Sequence, residues 1–270
     1  MGDAVTVPEA RSNPRLRRFA LRTMRVPLGK RVLALAVPDS RQWLREGSWV
    51  SATERGAEPP YWVEMWPASL AAAQLLARRR ELDGLRVLDL GCGLGIPGIA
   101  AASLGAAVTF ADRQAAALEF AQWNAARVNG GGLAARCQRL DWFRDTVGGS
   151  FDVVVLADVT YRHVHHAALG RQLERCLAPA GVLLHADPCR PESTDFLDGL
   201  GASYATVAGL RETCAGARRL DVRLVVASRD AGALAPWRRV LHADRRVRPI
   251  AAPFRAVAAR AQQPPGSAAS

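Results

Sequence analysis

The sequence has little lysine, no closely spaced cysteines and no long apolar run. Lys30 is the single lysine among 36 basic residues, and the five cysteines stand singly, without the spacing of a zinc site or a disulfide framework. No apolar run approaches the length of a membrane span, and the N-terminus lacks the apolar core of a signal peptide. We therefore expect a cytoplasmic, globular protein that enters no membrane and holds no metal.

The net charge of +11 belongs to the two ends of the chain. Residues 1–31 and residues 229–270 each contain eight basic and two acidic residues, whereas the residues between them contain 20 basic and 21 acidic ones. A strongly basic chain raises the question of nucleic acid. Because the middle is nearly neutral and the ends are rich in arginine and alanine, solvated tails are the favoured interpretation, and nucleic acid is not the expected partner.

Three alternating glycines follow an apolar run and an acid between Val87 and Gly95. This pattern predicts a buried strand that breaks into a tight turn before a helix. Glycine leaves the backbone bare, so a ligand can lie against the turn and the first turn of the helix. A nucleotide-like cofactor is predicted here, although a plain strand-to-helix turn would show the same glycines. The predicted site residues are Asp89, Gly91, Cys92, Gly93 and Gly95.

Two acids mark the ends of the next two predicted strands. Asp112 ends a strand about 20 residues past the glycines, where a carboxylate can accept both hydroxyls of a ribose. Asp141 and Trp142 follow the third strand, and this pair suits adenine, since the acid accepts from the exocyclic amine and the indole stacks on the base. The alternatives are a surface carboxylate that caps a helix for Asp112 and a core side chain for Trp142.

The most continuous apolar run, Phe151 to Ala157, predicts a fourth strand that is buried on both faces. Asp158 and Tyr161 follow it directly. Sheets of this type place their sites at the carboxyl ends of the strands. Ala157, Asp158 and Tyr161 are therefore predicted to lie beside the cofactor.

Trp62 and Trp66 precede the glycine turn and lie four residues apart, so a helical turn would place them on one side. They are either a hydrophobic lid on the edge of the domain or a wall of the cofactor pocket.

Two other segments also have more than one interpretation. His163, His165 and His166 match no standard zinc spacing and favour a solvated helix start; residues 187–190, Asp-Pro-Cys-Arg, either line the substrate opening or form only a turn.

Several of these motifs resemble those of one enzyme family. The run from Asp89 to Gly95 resembles motif I of class I S-adenosylmethionine-dependent methyltransferases. Residues 60–69, Pro-Tyr-Trp and then Trp-Pro-Ala-Ser, and the acid with an aromatic three residues on at Asp158 and Tyr161, are similar to motifs of the seven-β-strand family that includes many protein-lysine methyltransferases. The resemblance covers residues 60–161.

The resemblance implies an α/β fold, with a doubly wound, Rossmann-like sheet of seven strands that is mostly parallel and has an antiparallel closing strand. It implies S-adenosylmethionine as the cofactor, with Trp66 in contact with it. It also implies a catalytic role for Asp158, which would orient an incoming ammonium, and for Tyr161, whose ring would stabilise positive charge.

The domain plan follows from the resemblance and from composition. We expect a basic flexible arm over residues 1–30, an N-terminal extension and lid over residues 31–83, and the S-adenosylmethionine-binding core over residues 84–228. An Arg/Ala/Pro-rich tail that is largely disordered would occupy residues 229–270. We expect a monomer.

The acceptor of the methyl group stays open, because residues 1–55 and 190–270 match no motif of the family. A lysine side chain of a protein is the favoured acceptor, and a small pyridine- or amine-type molecule is the alternative. A non-catalytic module that binds the cofactor or nucleic acid is a third reading. An NAD-dependent oxidoreductase is disfavoured, since it would need a longer glycine spacing and a lysine near a tyrosine, and the chain has one lysine.

Overall fold

The computed structural model describes residues 7–41, 59–79, 81–128, 135–215, 218–251 and 254. The helices are α1 (Val7–Ser12), α2 (Pro67–Arg79), α3 (Ile96–Ala102), α4 (Ala115–Ala125), α5 (His163–Cys176), α6 (Pro191–Gly199) and α7 (Ala235–Ala243). The strands are β1 (Leu21–Leu28), β2 (Arg31–Pro38), β3 (Arg86–Leu90), β4 (Ala107–Asp112), β5 (Arg136–Arg139), β6 (Phe151–Ala157), β7 (Leu177–Asp187), β8 (Ala205–Ala215), β9 (Arg218–Ser228) and β10 (Val247–Ile250). Within these ranges no helix is long and apolar enough to cross a membrane.

Eight strands form one sheet in the order β10-β8-β9-β7-β6-β3-β4-β5. All pairs from β7 to β5 are parallel, whereas β9 is antiparallel to both of its neighbours and β10 is antiparallel to β8. This arrangement confirms the predicted mostly parallel, Rossmann-like sheet with an antiparallel closing strand. It adds an eighth strand, β10, to the seven that were predicted.

Strand β6 shows why the sheet is buried on both faces. Its side chains alternate between two hydrophobic clusters: Val153 and Val155 lie in one, and Val154 and Leu156 lie in the other. Each of these side chains is at most 1% exposed. Alternation of side chains across a strand, with helices covering both faces, accounts for the uninterrupted apolar run in the sequence.

The chain order reverses at the centre of the sheet. From β3 the chain continues to β4 and β5 on one side, and then crosses to β6 and β7 on the other side. A crevice forms outside the carboxyl ends of the strands where the order switches in this way. The predicted site residues at the ends of β3, β4 and β6 therefore meet at one edge of the sheet.

The expected flexible arm over residues 1–30 contains regular structure in its described part. Helix α1 leads to β1, which pairs with β2 in an antiparallel hairpin. Leu21, Met24, Val26 and Leu28 are buried along β1 while exposed residues alternate with them. The alternation of arginine with apolar residues is typical of a half-buried strand. The prediction of a flexible arm relied on the arginine content and did not take this alternation into account.

Asn124 in α4 connects the β1–β2 hairpin to the domain through two hydrogen bonds. Its side-chain oxygen accepts a hydrogen bond from the backbone N–H of Ala36 at 2.9 Å, and its amide donates to the carbonyl of Ala36 at 2.9 Å. Asn124 is fully buried, and both of its polar atoms are satisfied by one residue of β2. The hairpin is thus part of the packed fold.

The expected disordered tail over residues 229–270 also contains regular structure in its described part. Helix α7 buries Trp237 and Leu241, and β10 extends the sheet at its edge. The apolar side chains of α7 pack against the main hydrophobic cluster, which outweighs the polar composition around them. Residues 255–270, including the segment 263–270 for which disorder was expected, lie outside the described residues.

Two element boundaries differ from those that the sequence indicates. The sequence indicates a helix from Ala167 and a break at the Pro-Ala-Gly run of residues 179–181, whereas α5 begins at His163 and β7 begins at Leu177. The pairing of β7 with β6 is irregular there, with a register shift between Phe151 and Val153. The proline and glycine therefore interrupt the regular pairing of the strand but do not end it.

Candidate active site

A pocket lies outside the carboxyl ends of β3, β4 and β6, and the segment between Pro59 and Ser69 covers part of it. Ten predicted site residues line it, namely Trp66, Gly91, Cys92, Gly93, Asp112, Asp141, Trp142, Ala157, Asp158 and Tyr161. Asp89 and Gly95 are not among its lining residues. The structure thus brings nearly all of the predicted residues together around one cavity.

The turn after β3 approaches its neighbours closely. Gly91 has a φ of +72°, and a Cβ atom there would lie 2.7 Å from Cγ1 of Val159 and 3.0 Å from Cζ3 of Trp142. Both the left-handed backbone and the lack of space therefore require glycine. The bare turn leaves the pocket open on this side and places the Trp142 ring next to it.

Gly95 and Asp89 act behind the pocket wall. A Cβ atom on Gly95 would lie 2.7 Å from the Cβ of Ala121, so this glycine lets α3 and α4 pack together. Asp89 is buried, and its Oδ2 accepts a hydrogen bond of 2.9 Å from the backbone N–H of Gly98 in α3. Burial raises the pKa of Asp89 to about 7. Both residues shape the turn, and their predicted contact with the cofactor stays a prediction.

Asp112 ends β4 and closes the glycine turn. Its Oδ2 accepts a hydrogen bond from the N–H of Gly93 at 2.9 Å, and its Oδ1 accepts from the N–H of Gln114 at 2.8 Å. Burial raises the pKa of Asp112, and these hydrogen bonds oppose that shift. Each oxygen of a carboxylate has a second lone pair. Asp112 is thus held in place with acceptor capacity left for two ribose hydroxyls.

Trp142 and Asp141 form the next part of the wall. The Nε1 of Trp142 is buried and lacks a hydrogen-bond partner within the described part of the chain. Oδ1 of Asp141 accepts from the N–H of Phe143 at 3.1 Å, so the acid organises its own loop as well as facing the pocket. A buried unpaired donor is uncommon in a folded protein, and here it lies in the wall of the pocket.

Two tryptophans of the covering segment have different surroundings, although both line the pocket. Trp66 donates from Nε1 to the carbonyl of Tyr61 at 2.9 Å, which closes the short turn Tyr61–Val63. Trp62 packs on the rings of Phe19 and Phe120, with ring centroids 5.9 and 6.0 Å apart. The segment is therefore both a lid anchored in the core and a wall of the pocket.

Asp158 follows β6 in a left-handed backbone conformation, with a φ of +56°. Its carboxylate, expected to be open to an ammonium, is engaged by a guanidinium: Nε of Arg190 donates to Oδ1 at 2.9 Å and its second nitrogen donates to Oδ2 at 3.3 Å. Burial raises the pKa of Asp158, whereas Arg190 acts in the opposite direction. The sequence analysis did not predict this ion pair, although it left open whether residues 187–190, which include Arg190, line the substrate opening.

His165 is a second residue that sequence reasoning missed. It was expected in a solvated helix start, but it is only 4% exposed. Its ring lies 5.3 Å from that of Tyr161 and 5.4 Å from that of Trp142. The Nδ1 lies 3.2 Å from the carbonyl oxygen of Val159 and must donate to it, because a carbonyl only accepts. His165 thus joins the predicted adenine wall to the predicted catalytic tyrosine.

His163 and His166 lie outside this wall. His163 is exposed and pairs with Asp195, and His166 contacts the carbonyl oxygen of Thr160 at 3.0 Å. Across the described ranges, no three His, Cys, Asp or Glu side chains come together as a group that could hold a metal ion. The three histidines therefore have separate structural partners.

The residues of the pocket fit the cofactor that the motifs imply. The bare backbone of Gly91 and Gly93 provides the space, the anchored carboxylate of Asp112 provides acceptors for a ribose, and the indole of Trp142 provides a face for a base. Asp158 and Tyr161 also line the pocket. We call the part that they line the acceptor end, because the resemblance implies a catalytic role for them, and the part lined by Gly91, Asp112 and Trp142 the cofactor end.

A sequence model of the family described as "Lysine methyltransferase" matches residues 52–201 of the chain. The chain is similar to the protein N-lysine methyltransferase METTL21A of Danio rerio, with 33% identity over 126 residues, which cover 44% of this chain and 57% of the relative. It is also similar to the EEF1A lysine methyltransferase 3 of Mus musculus, with 34% identity over 134 residues, which cover 48% of this chain and 57% of the relative.

Enzymes with another acceptor also resemble the chain. The ubiquinone biosynthesis O-methyltransferase of Chelativorans sp. (strain BNC1) is 31% identical over 128 residues, which cover 46% of this chain and 49% of that enzyme. The chain thus spans about half the length of the curated relatives that it matches. The family match over residues 52–201 contains β3, β4 and β6, at whose ends the pocket lies.

Proposed function

The chain belongs to the lysine methyltransferase family, and on this premise we propose that it transfers a methyl group from S-adenosylmethionine to the side-chain amine of a lysine in a protein. The observation that supports a protein as the acceptor is a group of exposed apolar side chains, two of which line the pocket. Its members, Tyr61, Phe143 and Val164, are 45%, 44% and 58% exposed. We call them the mouth residues.

The mouth residues are continuous with the site. Tyr61 and Phe143 line the pocket, and Val164 precedes His165, whose ring lies 5.6 Å from that of Phe143. Within the described part of the chain, one other large apolar side chain, Val32, is as exposed as these. Exposed apolar groups that gather around a pocket indicate a macromolecular partner that covers them. A small acceptor would enter the pocket and leave the mouth residues in water.

S-adenosylmethionine supplies an electrophilic methyl group on a sulfonium, which the nitrogen lone pair of the acceptor attacks in line. The C–N bond forms as the C–S bond breaks, and the electron pair of that bond stays with sulfur. The protein has to hold the acceptor near attack and exclude water. Tyr61, Trp66 and Tyr161 form a connected aromatic group, with ring centroids 6.0 and 6.1 Å apart, that can do both.

The acceptor amine must be neutral to attack, whereas a free lysine has a pKa of about 10.4. Its proton is released to water as the side chain enters the pocket. Tyr161 borders the acceptor end, and its ring face stabilises the positive charge that develops on nitrogen. Asp158 lies at the same end and orients the amine through its carboxylate.

Transfer of tritium from labelled S-adenosylmethionine into a cell lysate tests the proposal. The purified chain is incubated with the lysate, macromolecules are separated from small molecules, and the labelled protein is hydrolysed to amino acids. We expect the label in methylated lysine. Label in the small-molecule fraction alone would show a small amine acceptor, and label in neither fraction would leave a module that binds without turnover.

Cytoplasmic location and a monomeric state are further proposals. Four of the cysteines, Cys92, Cys137, Cys176 and Cys189, are free thiols, which is what a reducing compartment maintains. Cell fractionation and light scattering on the purified chain test the two proposals separately.

A further inference from the structure

An ion pair joins Asp158, which lines the pocket, to Arg190, which is not among its lining residues. The guanidinium of Arg190 contacts both carboxylate oxygens of Asp158, at 2.9 and 3.3 Å. The Asp158 side chain is 4% exposed and that of Arg190 is 39% exposed. The carboxylate therefore faces the pocket with its charge already paired, while the guanidinium reaches it from the segment after β7.

Arg190 is held at its backbone on both sides. Its N–H donates to Oδ2 of Asp187 at 2.9 Å, and its carbonyl accepts from the hydroxyl of Thr194 at 3.1 Å. Asp187 in turn accepts two hydrogen bonds, of 2.9 and 3.0 Å, from the fully buried guanidinium of Arg223. Arg223 also donates to Thr194 at 2.9 Å. This buried network fixes the point from which the side chain of Arg190 extends.

Backbone strain marks both ends of the ion pair. Asp158 has a φ of +56°, and Cys189, next to Arg190, has a φ of +58°. In the described part of the chain these are the two non-glycine residues with positive φ. Such conformations are unfavourable for non-glycine residues and persist where the surrounding structure enforces them, often at functional sites. The surrounding structure therefore holds the ion pair in place although the backbone conformations of Asp158 and Cys189 are unfavourable.

We propose that Arg190 is a positioning residue that neutralises Asp158, so that the acceptor end of the pocket receives an uncharged amine in preference to an ammonium. The inference rests on the proposed function. An unpaired carboxylate within about 4–6 Å would stabilise the ammonium and raise the pKa of the acceptor by 1–3 units. The other charged group that acts on Asp158 is Asp187, which is itself paired with Arg223. With the guanidinium in place, Asp158 orients the amine without holding its proton.

Two isosteric probes test this role without any methyl transfer. The full chain, loaded with S-adenosylhomocysteine at pH 7, is titrated with n-butylammonium, which mimics the charged lysine side chain, and with neutral n-butanol. Ligand binding is followed by NMR. In Arg190→Gln we expect n-butylammonium to bind at least about tenfold more tightly than in the wild type, because the carboxylate is unpaired. The affinity for n-butanol should stay unchanged.

Two further variants separate charge from structure. Arg190→Lys keeps the positive charge and should restore the wild-type affinity for n-butylammonium. Arg171→Gln removes an exposed arginine from α5 that does not line the pocket, and should have no effect. The inference is wrong if Arg190→Gln binds n-butylammonium no more tightly than the wild type, or if it weakens both probes equally, which would show a merely structural role.

A measurement on the wild type covers the case in which Arg190→Gln does not fold. The Nε–H signal of Arg190, assigned by comparison with Arg190→Lys, should stay unshifted when n-butylammonium is added, because the guanidinium keeps its place on Asp158. A shift of that signal would mean that the cation displaces Arg190, which contradicts the inference. Neither titration depends on turnover, so a lysate without labelled lysine would refute the proposed function and leave this result standing.

Discussion

The cofactor end and the acceptor end of the pocket are built in different ways. At the cofactor end, Asp112 accepts hydrogen bonds from Gly93 in the turn after β3 and from Gln114, two residues along the chain, so residues at neighbouring strand ends hold this carboxylate. At the acceptor end, Asp158 is completed by Arg190, 32 positions away in the chain, and a buried network supports that residue. The comparison teaches that residues close to strand ends form the predicted cofactor end, whereas the charge at Asp158 depends on contacts between distant segments.

The largest effect is expected at the acceptor end. Asp158→Ala should lower turnover at least about 100-fold while changing the affinity for S-adenosylmethionine less than about threefold, because the carboxylate acts on the acceptor. Single-turnover kinetics and calorimetry measure the two quantities. Unchanged turnover would remove Asp158 from the reaction, and equal losses in both quantities would place it at the cofactor end.

The complementary change is Asp112→Ala, which should weaken binding of S-adenosylmethionine about 30- to 100-fold. It removes the acceptors for a ribose and leaves the N–H groups of Gly93 and Gln114 without their partner. Calorimetry measures the affinity, with Glu174→Ala, an exposed acid on α5, as the control. Equal binding by the wild type and Asp112→Ala would refute the pocket assignment.

The pH dependence of folding stability tests the protonation state of Asp89, which shapes the turn at the cofactor end. Its pKa is raised from 3.8 to about 7 in the folded chain, so the folded state binds an extra proton between these values and loses stability as pH rises through this window. Asp89→Asn, whose amide oxygen can accept from Gly98, should gain about 3 kcal/mol relative to the wild type from pH 4 to pH 7. Denaturant unfolding at several pH values measures the difference. A constant difference would show that Asp89 is ionised throughout.

The smallest effect concerns the mouth residues. Val164→Ser should raise the KM for the labelled protein acceptor about fivefold without changing turnover or cofactor affinity, because apolar contact with the partner is lost. Val32→Ser is the matched control: Val32 is 51% exposed, and the neighbouring Arg31 donates to the carbonyl of Ser103 after the end of α3, away from the pocket. Equal effects of the two changes would argue against a docking role for the mouth residues.

The predicted residues at the cofactor end were found because each follows an apolar strand at a characteristic spacing. Gly91, Asp112 and Trp142 needed no knowledge of distant contacts, and the family match confirms the cofactor class that they indicate. His165 and Arg190 carry no such local signal. His165 belongs to the site because α5 begins at His163 and buries one of three similar histidines.

The ends of the chain were harder to read for a different reason. The arginines of β1 suggested a flexible arm, yet they alternate with side chains that the hairpin buries. The burial of Trp237 and Leu241 in α7 likewise follows from a hydrophobic cluster to which distant strands contribute. Composition averages over such alternation, so it cannot tell a charged strand edge from a solvated tail.

The sequence by itself determined the order of the strands from β3 to β9, the glycine turn and the acids at the strand ends, since hydrophobic periodicity and turn chemistry act over a few neighbouring residues. Tertiary structure decided which charged side chains form ion pairs and which side chains are buried beside the pocket. The pairing of Asp158 with Arg190 and the burial of His165 arise where separate segments meet at one edge of the sheet. Such contacts depend on three-dimensional distance, which spacing along a single chain does not encode.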